Sequence, residues 1–241
     1  MWSSALVGNK SADVFVPAHG RPRFGLLFLH NEAGETPRDR SIWTQLLAQT
    51  GFGCLCPHGG PCWWADRLSS VFDPARTPER HILDHVHRWL QQEWRLTPGR
   101  IALAGVGMGG QGALRLAFKH PHHFPVVAAL RAAVDQHEAY GYGTPLDELY
   151  ASREHCRQDS ATLHIDPVKQ PPHIWFAAHP EDFWFRGNDR LHEKLTALGV
   201  AHTFVPEANG AAGSWDYFDS MAGALVAFVV QALEQESRRL L

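Results

Sequence analysis

The sequence predicts an α/β fold: a mainly parallel central sheet flanked by helices, with a small insertion above its carboxyl edge. Three observations carry that expectation. Apolar runs of strand length alternate with helix-length segments along most of the chain. A length of 241 residues with 44% hydrophobic content can bury a substantial core, and one α/β domain accounts for it. The stretch "RIALAGVGMGGQGALRLAFKHP" (100–121) reads as a buried strand turning sharply, through glycines, into an amphipathic helix.

The elements follow in order. "RFGLLFLH" (23–30) is a buried strand, "SIWTQLLAQT" (41–50) the helix after it, and "GFGCLCP" (51–57) the next strand. A Gly/Pro/Trp-rich loop leads to a helix starting near "TPERHILDHVHRWLQQEW", with Thr77 as N-cap and Pro78 in the first turn. "RIALAGV" and "FPVVAALR" are two more strands, separated by the helix already quoted. Residues 132–172 break the rhythm and read as an irregular, cap-like insertion with short helices. The alternation resumes with strand "HIWFAAH", helix "NDRLHEKLTALG", strand "AHTFVPE" and a final helix from about Trp215. The chain shows no internal repeat, linker or low-complexity tract, so 1–241 is expected to be one domain.

Composition narrows the function classes. The net charge is −3 with acids and bases interspersed, and no basic stripe invites nucleic acid. The start, "MWSSALVGNKSADVF", has no basic region followed by an apolar run, and the longest apolar run, "GALVAFVVQAL", falls short of a membrane span. A cytoplasmic protein without membrane contact is the expectation. Cys54 and Cys56 point to one face of a strand, and Cys62 and Cys156 lie elsewhere, so four reduced thiols are expected. Sixteen histidines raise the question of metal. His81 and His85 lack a third ligand in register and read as a solvated helix face; "HPHHF" reads as a helix end. Neither a metal nor another cofactor is expected.

The turn Gly105-Val106-Gly107-Met108-Gly109-Gly110 carries the chemistry. It resembles the G-x-S-x-G-G nucleophile elbow of the α/β-hydrolase fold, in particular of small bacterial esterases of the phospholipase/carboxylesterase and esterase D-like kind. The resemblance runs from about Phe24 to Leu233. It implies a serine at the position held by Gly107 and a histidine before the final helix, where "NGAAGSWDYF" has Gly213. The family's acid falls on Asp182 of "HPEDFW". The resemblance also implies an oxyanion hole from the backbone N–H of Met108 and a second donor in "HNEAGE", where Asn31 stands for the family's glycine.

Serine needs a base, and the acid acts only through that base. Loss of either typically costs about 10⁶ in rate. The leading expectation is therefore a disarmed esterase whose cleft serves small-molecule binding or interaction. Trp63, Trp64, Phe183, Trp184 and Tyr140 are expected to wall it for a small apolar or aromatic ester-like ligand. The alternative is a hydrolase of small esters or thioesters using Cys62 with His58 or His30. A third reading is a structural partner, as a homo-oligomer or beside an active homologue. Ser214 reads as a helix N-cap and Asp66–Arg67 as an ion pair fixing its loop.

Overall fold

The computed structural model describes residues 1–18 and 20–239. Eight strands form one sheet: β1 Trp2–Val7, β2 Lys10–Phe15, β3 Phe24–Leu29, β4 Phe52–Pro57, β5 Ile101–Val106, β6 Val126–Leu130, β7 His173–Ala177 and β8 Thr203–Val205. Their spatial order is β1-β2-β4-β3-β5-β6-β7-β8; β1, β2 and β4 pair antiparallel and every later pairing is parallel. The helices are α1 Ser41–Thr50, α2 Pro78–His81, α3 His87–Glu93, α4 Met108–Lys119, α5 Leu146–Leu149, α6 Arg153–Gln158, α7 Phe185–Ala197 and α8 Trp215–Arg239. A π turn, Ile82–Val86, joins α2 to α3. Thr77 caps α2 by accepting from Arg80 N–H, with Pro78 in the first turn.

Strand alternation divides the core between the two faces. Leu27, Leu29, Ile101 and Leu103 face α3, α4 and α7; Leu26, Phe28, Ala102 and Ala104 face α1 and α8. Helix α8 runs 25 residues and is apolar enough by length and composition to cross a membrane. That exceeds what the sequence reading allowed. Half of its most apolar window is buried, and Phe218, Met221, Leu225 and Val229 pack on the sheet, as a core helix requires.

The β1–β2 hairpin is an element the sequence reading did not assign. Residues 132–172 do form short helices, and a buried charge network fastens them to the core. Arg115 of α4 binds Asp159 just past α6 and Glu79 of α2, while Tyr150 donates to Asp159 at 2.7 Å. The four cysteines are free and buried, with Cys54 Sγ and Cys56 Sγ 3.6 Å apart on one strand face. His81 is fully buried against Phe72, so it does not belong to a solvated face. Asp66 and Arg67 do not pair: Asp66 accepts from Thr77, and Arg67 lies over the Tyr150 ring.

Candidate functional site

The loops that leave the carboxyl ends of β3, β5, β6, β7 and β8 meet at one place, the usual site of function in a parallel sheet. Gly107 follows β5 and begins α4 with φ 56° and ψ −119°. Only glycine reaches that conformation freely; other residues hold it at about 1–3 kcal/mol of strain. The turn is as tight as the sequence implied. A β-carbon on Gly105 would stand 2.3 Å from Gly109 O, and one on Gly109 would stand 2.0 Å from Leu29 O.

Neighbouring strands bracket the turn. Gly107 N–H donates to Leu130 O at 3.0 Å, and Gly107 O accepts from Ala133 N–H at 3.0 Å. Arg131 is therefore held in the bend that wraps Gly107. Met108 opens α4, where a first-turn N–H has no intrahelical acceptor. Its sulfur accepts from Trp63 N–H at 3.1 Å.

The loop after β3 is folded by its own polar groups. Asn31 Oδ1 accepts from the N–H groups of Ala33 and Glu35, and its Nδ2 donates to Glu35 Oε2. The Asn31 side chain is thus spent inside the loop. His30 sits beneath, buried, with Nε2 accepting from Gly59 N–H at 2.9 Å, so its Nδ1–H donates to Asn31 O at 2.7 Å. Burial lowers its pKa to about 4, against the Asn31 carbonyl, and the ring is neutral. This fold delivers Glu32 to the elbow: a β-carbon on Gly107 would lie 2.8 Å from Glu32 Oε2.

Asp182 follows β7, is 8% exposed, and accepts from Trp184 N–H at 2.8 Å. Its other oxygen, Oδ2, accepts from Arg131 Nε at 2.7 Å. Gly213 lies against this pair: a β-carbon there would be 3.1 Å from Asp182 Oδ2 and 3.2 Å from Arg131 Nε. Arg131 itself has φ 50°, a rare value for a residue with a side chain. The space beside the acid is thus filled by a guanidinium, which stays protonated and cannot serve as a base.

Glu32 and Arg131 are the two charged groups that sequence reasoning missed. Both stand in loops at strand ends, which was the available signal; their aim toward Gly107 and Asp182 is a tertiary fact.

The aromatic wall is placed differently from expectation. Trp63 and Trp64 are buried in the core with φ 54° and 50°, and Trp64 packs directly on Gly112 of α4. Trp184 is also buried, and Tyr140 packs half-buried on the core. Only Phe183, 63% exposed, faces outward. The loop shape explains this, since two successive left-handed residues turn the indoles beneath the chain. Cys62 is likewise fully buried, and burial pushes its thiol up to about 12. A thiol so held is neither accessible nor ionised, which removes it as a nucleophile.

Sheet order, strand-end loops and the glycine elbow together define an α/β-hydrolase fold. The family model described as "Putative esterase" matches residues 69–204, more than half of the chain, and the protein belongs to that esterase family. Among solved structures it is similar to a ferulic acid esterase, with TM-score 0.76, 16% identity, and 96% and 98% of the two chains covered. It is similar also to FphF, a fluorophosphonate-binding serine hydrolase of Staphylococcus aureus, with TM-score 0.77, 15% identity, and 95% and 97% covered. An S-formylglutathione hydrolase from Agrobacterium tumefaciens superposes with TM-score 0.77 at 16% identity, covering 96% and 94%. At these identities the likeness is one of fold. No curated protein matches the sequence.

Proposed function

We propose that this esterase-family chain does not run Ser-His-Asp hydrolysis and uses the former catalytic centre to bind a small molecule. One observation carries the reading: Gly107 holds the elbow conformation while the Glu32 carboxylate fills the space a side chain there would take. A side chain at 107 would have to displace this carboxylate. The Arg131–Asp182 pair supports it from the other side, because Asp182 is committed to a partner that cannot accept a proton. Retained features favour binding over mere decay. The elbow glycines and the N–H end of α4 remain, and two left-handed residues, Gly107 and Arg131, are kept at the same point.

Incubation of the native protein with a fluorophosphonate probe, which phosphonylates activated serines, tests this directly. The binding reading requires no covalent adduct by intact mass. A stoichiometric adduct on any serine at the carboxyl edge of the sheet overturns it.

A further inference from the structure

The charges around Gly107 are arranged for a particular kind of ligand. Glu32 is half-buried, and among the described residues no hydrogen bond or ion pair reaches its carboxylate, although its neighbours Asn31 and Glu35 are bonded to each other. A half-buried carboxylate without a protein partner is open to a cationic one. Arg131 offers the opposite charge. Its Nε is taken by Asp182, while its two terminal nitrogens form no hydrogen bond with described residues, and the side chain is 21% exposed. A guanidinium in this state presents a fork suited to a carboxylate.

Glu32 faces Gly107, and the Arg131 guanidinium faces Gly213 beside Asp182. Glu32 reaches the space above Gly107, and Arg131 lies between the two residues whose backbones bond to Gly107, Leu130 and Ala133. They make no ion pair with each other, so each retains the capacity to take a third partner. Net charge then selects. Asp182 cancels Arg131, leaving Glu32 in excess, which disfavours a simple anion. A molecule carrying both charges satisfies every group, its anionic end gaining also the N-terminus of α4.

We propose that the site binds a small zwitterion, an amino-acid-like molecule with its ammonium on Glu32 and its carboxylate on Arg131. The proposal rests on the binding reading above. A groove of about 760 Å³ runs past the Glu32 loop, lined by Gly34, Glu35 and Trp215 with Asp13, Arg38 and Arg40; Glu32 and Arg131 are not among its lining residues.

Calorimetric titration with phenylalanine, phenethylamine, hydrocinnamate and the neutral amide of hydrocinnamic acid separates the alternatives. Phenylalanine should bind about tenfold or more tightly than the amine or the acid alone, the worth of one charge-assisted contact. Glu32→Gln and Arg131→Lys should each reduce that binding by a similar factor, with circular dichroism confirming that both variants fold. Equal binding of phenethylamine and phenylalanine, or phenylalanine binding unchanged in Glu32→Gln, overturns the proposal. Binding of the neutral amide without phenylalanine overturns the ligand class while leaving the binding function standing. Fluorophosphonate labelling, by contrast, removes the binding function itself.

Discussion

Arg131 Nε donates to Asp182 Oδ2 at 2.7 Å, so a buried carboxylate beyond the end of β7 is held by a guanidinium. The two residues lie 51 positions apart and meet only because β6 and β7 are neighbours in the sheet. Beside them Gly213 packs closely, a β-carbon there lying 3.1 Å from Asp182 Oδ2, and across the elbow the Glu32 carboxylate lies 2.8 Å from where a β-carbon on Gly107 would stand. On the function proposed above, two charged residues occupy the places that a hydroxyl and an imidazole would otherwise need.

Removing Arg131 should be costly. The Asp182 side chain is 3% exposed, and Arg131→Met leaves its carboxylate with a single backbone donor. A loss of about 3 kcal/mol in urea unfolding is expected, typical of a buried pair broken on one side. Arg131→Met with Asp182→Asn should recover most of it. Additive losses in the double variant would show that the pair is not coupled.

Gly107→Ala should destabilise by about 1–3 kcal/mol, chiefly through the strain of positive φ, with a smaller share from moving Glu32 Oε2, 2.8 Å from the new β-carbon. Glu32→Ala in the same chain should relieve the contact and leave the strain. A double-mutant cycle read by thermal unfolding checks this, and zero coupling would place Glu32 away from the elbow.

Acid should unfold the protein in a window set by buried imidazoles. Burial lowers His30, His81 and His87 from 6.5 to about 4 in the fold. Between those values the unfolded chain takes up protons that the native state refuses. Stability is therefore undiminished above pH 6.5 and falls toward pH 4, by up to about 1.4 kcal/mol per pH unit for each group. Below that window the carboxylates take over. Burial opposes the ionised form of Asp159, but His164, Arg115 and Tyr150 hold its pKa at about 2, so its contribution is lost only as pH falls toward that value. Chemical denaturation from pH 8 to pH 4 reads the slope, and His81→Leu should flatten it.

Thiol chemistry offers a simple check of the core. Cys54, Cys56, Cys62 and Cys156 are all buried, and burial pushes Cys62 and Cys156 up to about 12. A chromogenic disulfide reagent should leave the native protein unlabelled and titrate four thiols in denaturant. Rapid native labelling of Cys62 would reinstate it as an accessible group.

Much of this architecture was legible in the sequence because it is local. Short apolar runs rich in valine and isoleucine, such as "IALAGV" and "VVAAL", read as buried strands, and the close spacing of Gly105, Gly107 and Gly109 marks a turn without room for β-carbons. Thr77-Pro78 announced its helix, and Asp182 and Gly213 do lie side by side. The β1–β2 hairpin went unassigned, although Val7-Gly8-Asn9-Lys10 is a two-residue turn between short alternating runs. What sequence did not reveal was direction. Trp63 and Trp64 turn inward because both adopt left-handed backbone, which no neighbour in sequence demands. Glu32 and Arg131 looked like ordinary loop charges, and their roles depend on partners brought in by other strands.

Hydrolysis of p-nitrophenyl acetate is the most direct test of the proposed function. Four chains are needed: the unmodified protein; Gly107→Ser with Gly213→His; those two with Glu32→Ala; and all three with Arg131→Asn. Asparagine is chosen because it tolerates the left-handed backbone at 131. If Glu32 and Arg131 occupy the nucleophile and base positions, the unmodified chain runs at the blank rate, and turnover rises stepwise as each is removed. Turnover by the unmodified chain well above the blank would contradict the reading and return the protein to the working esterases.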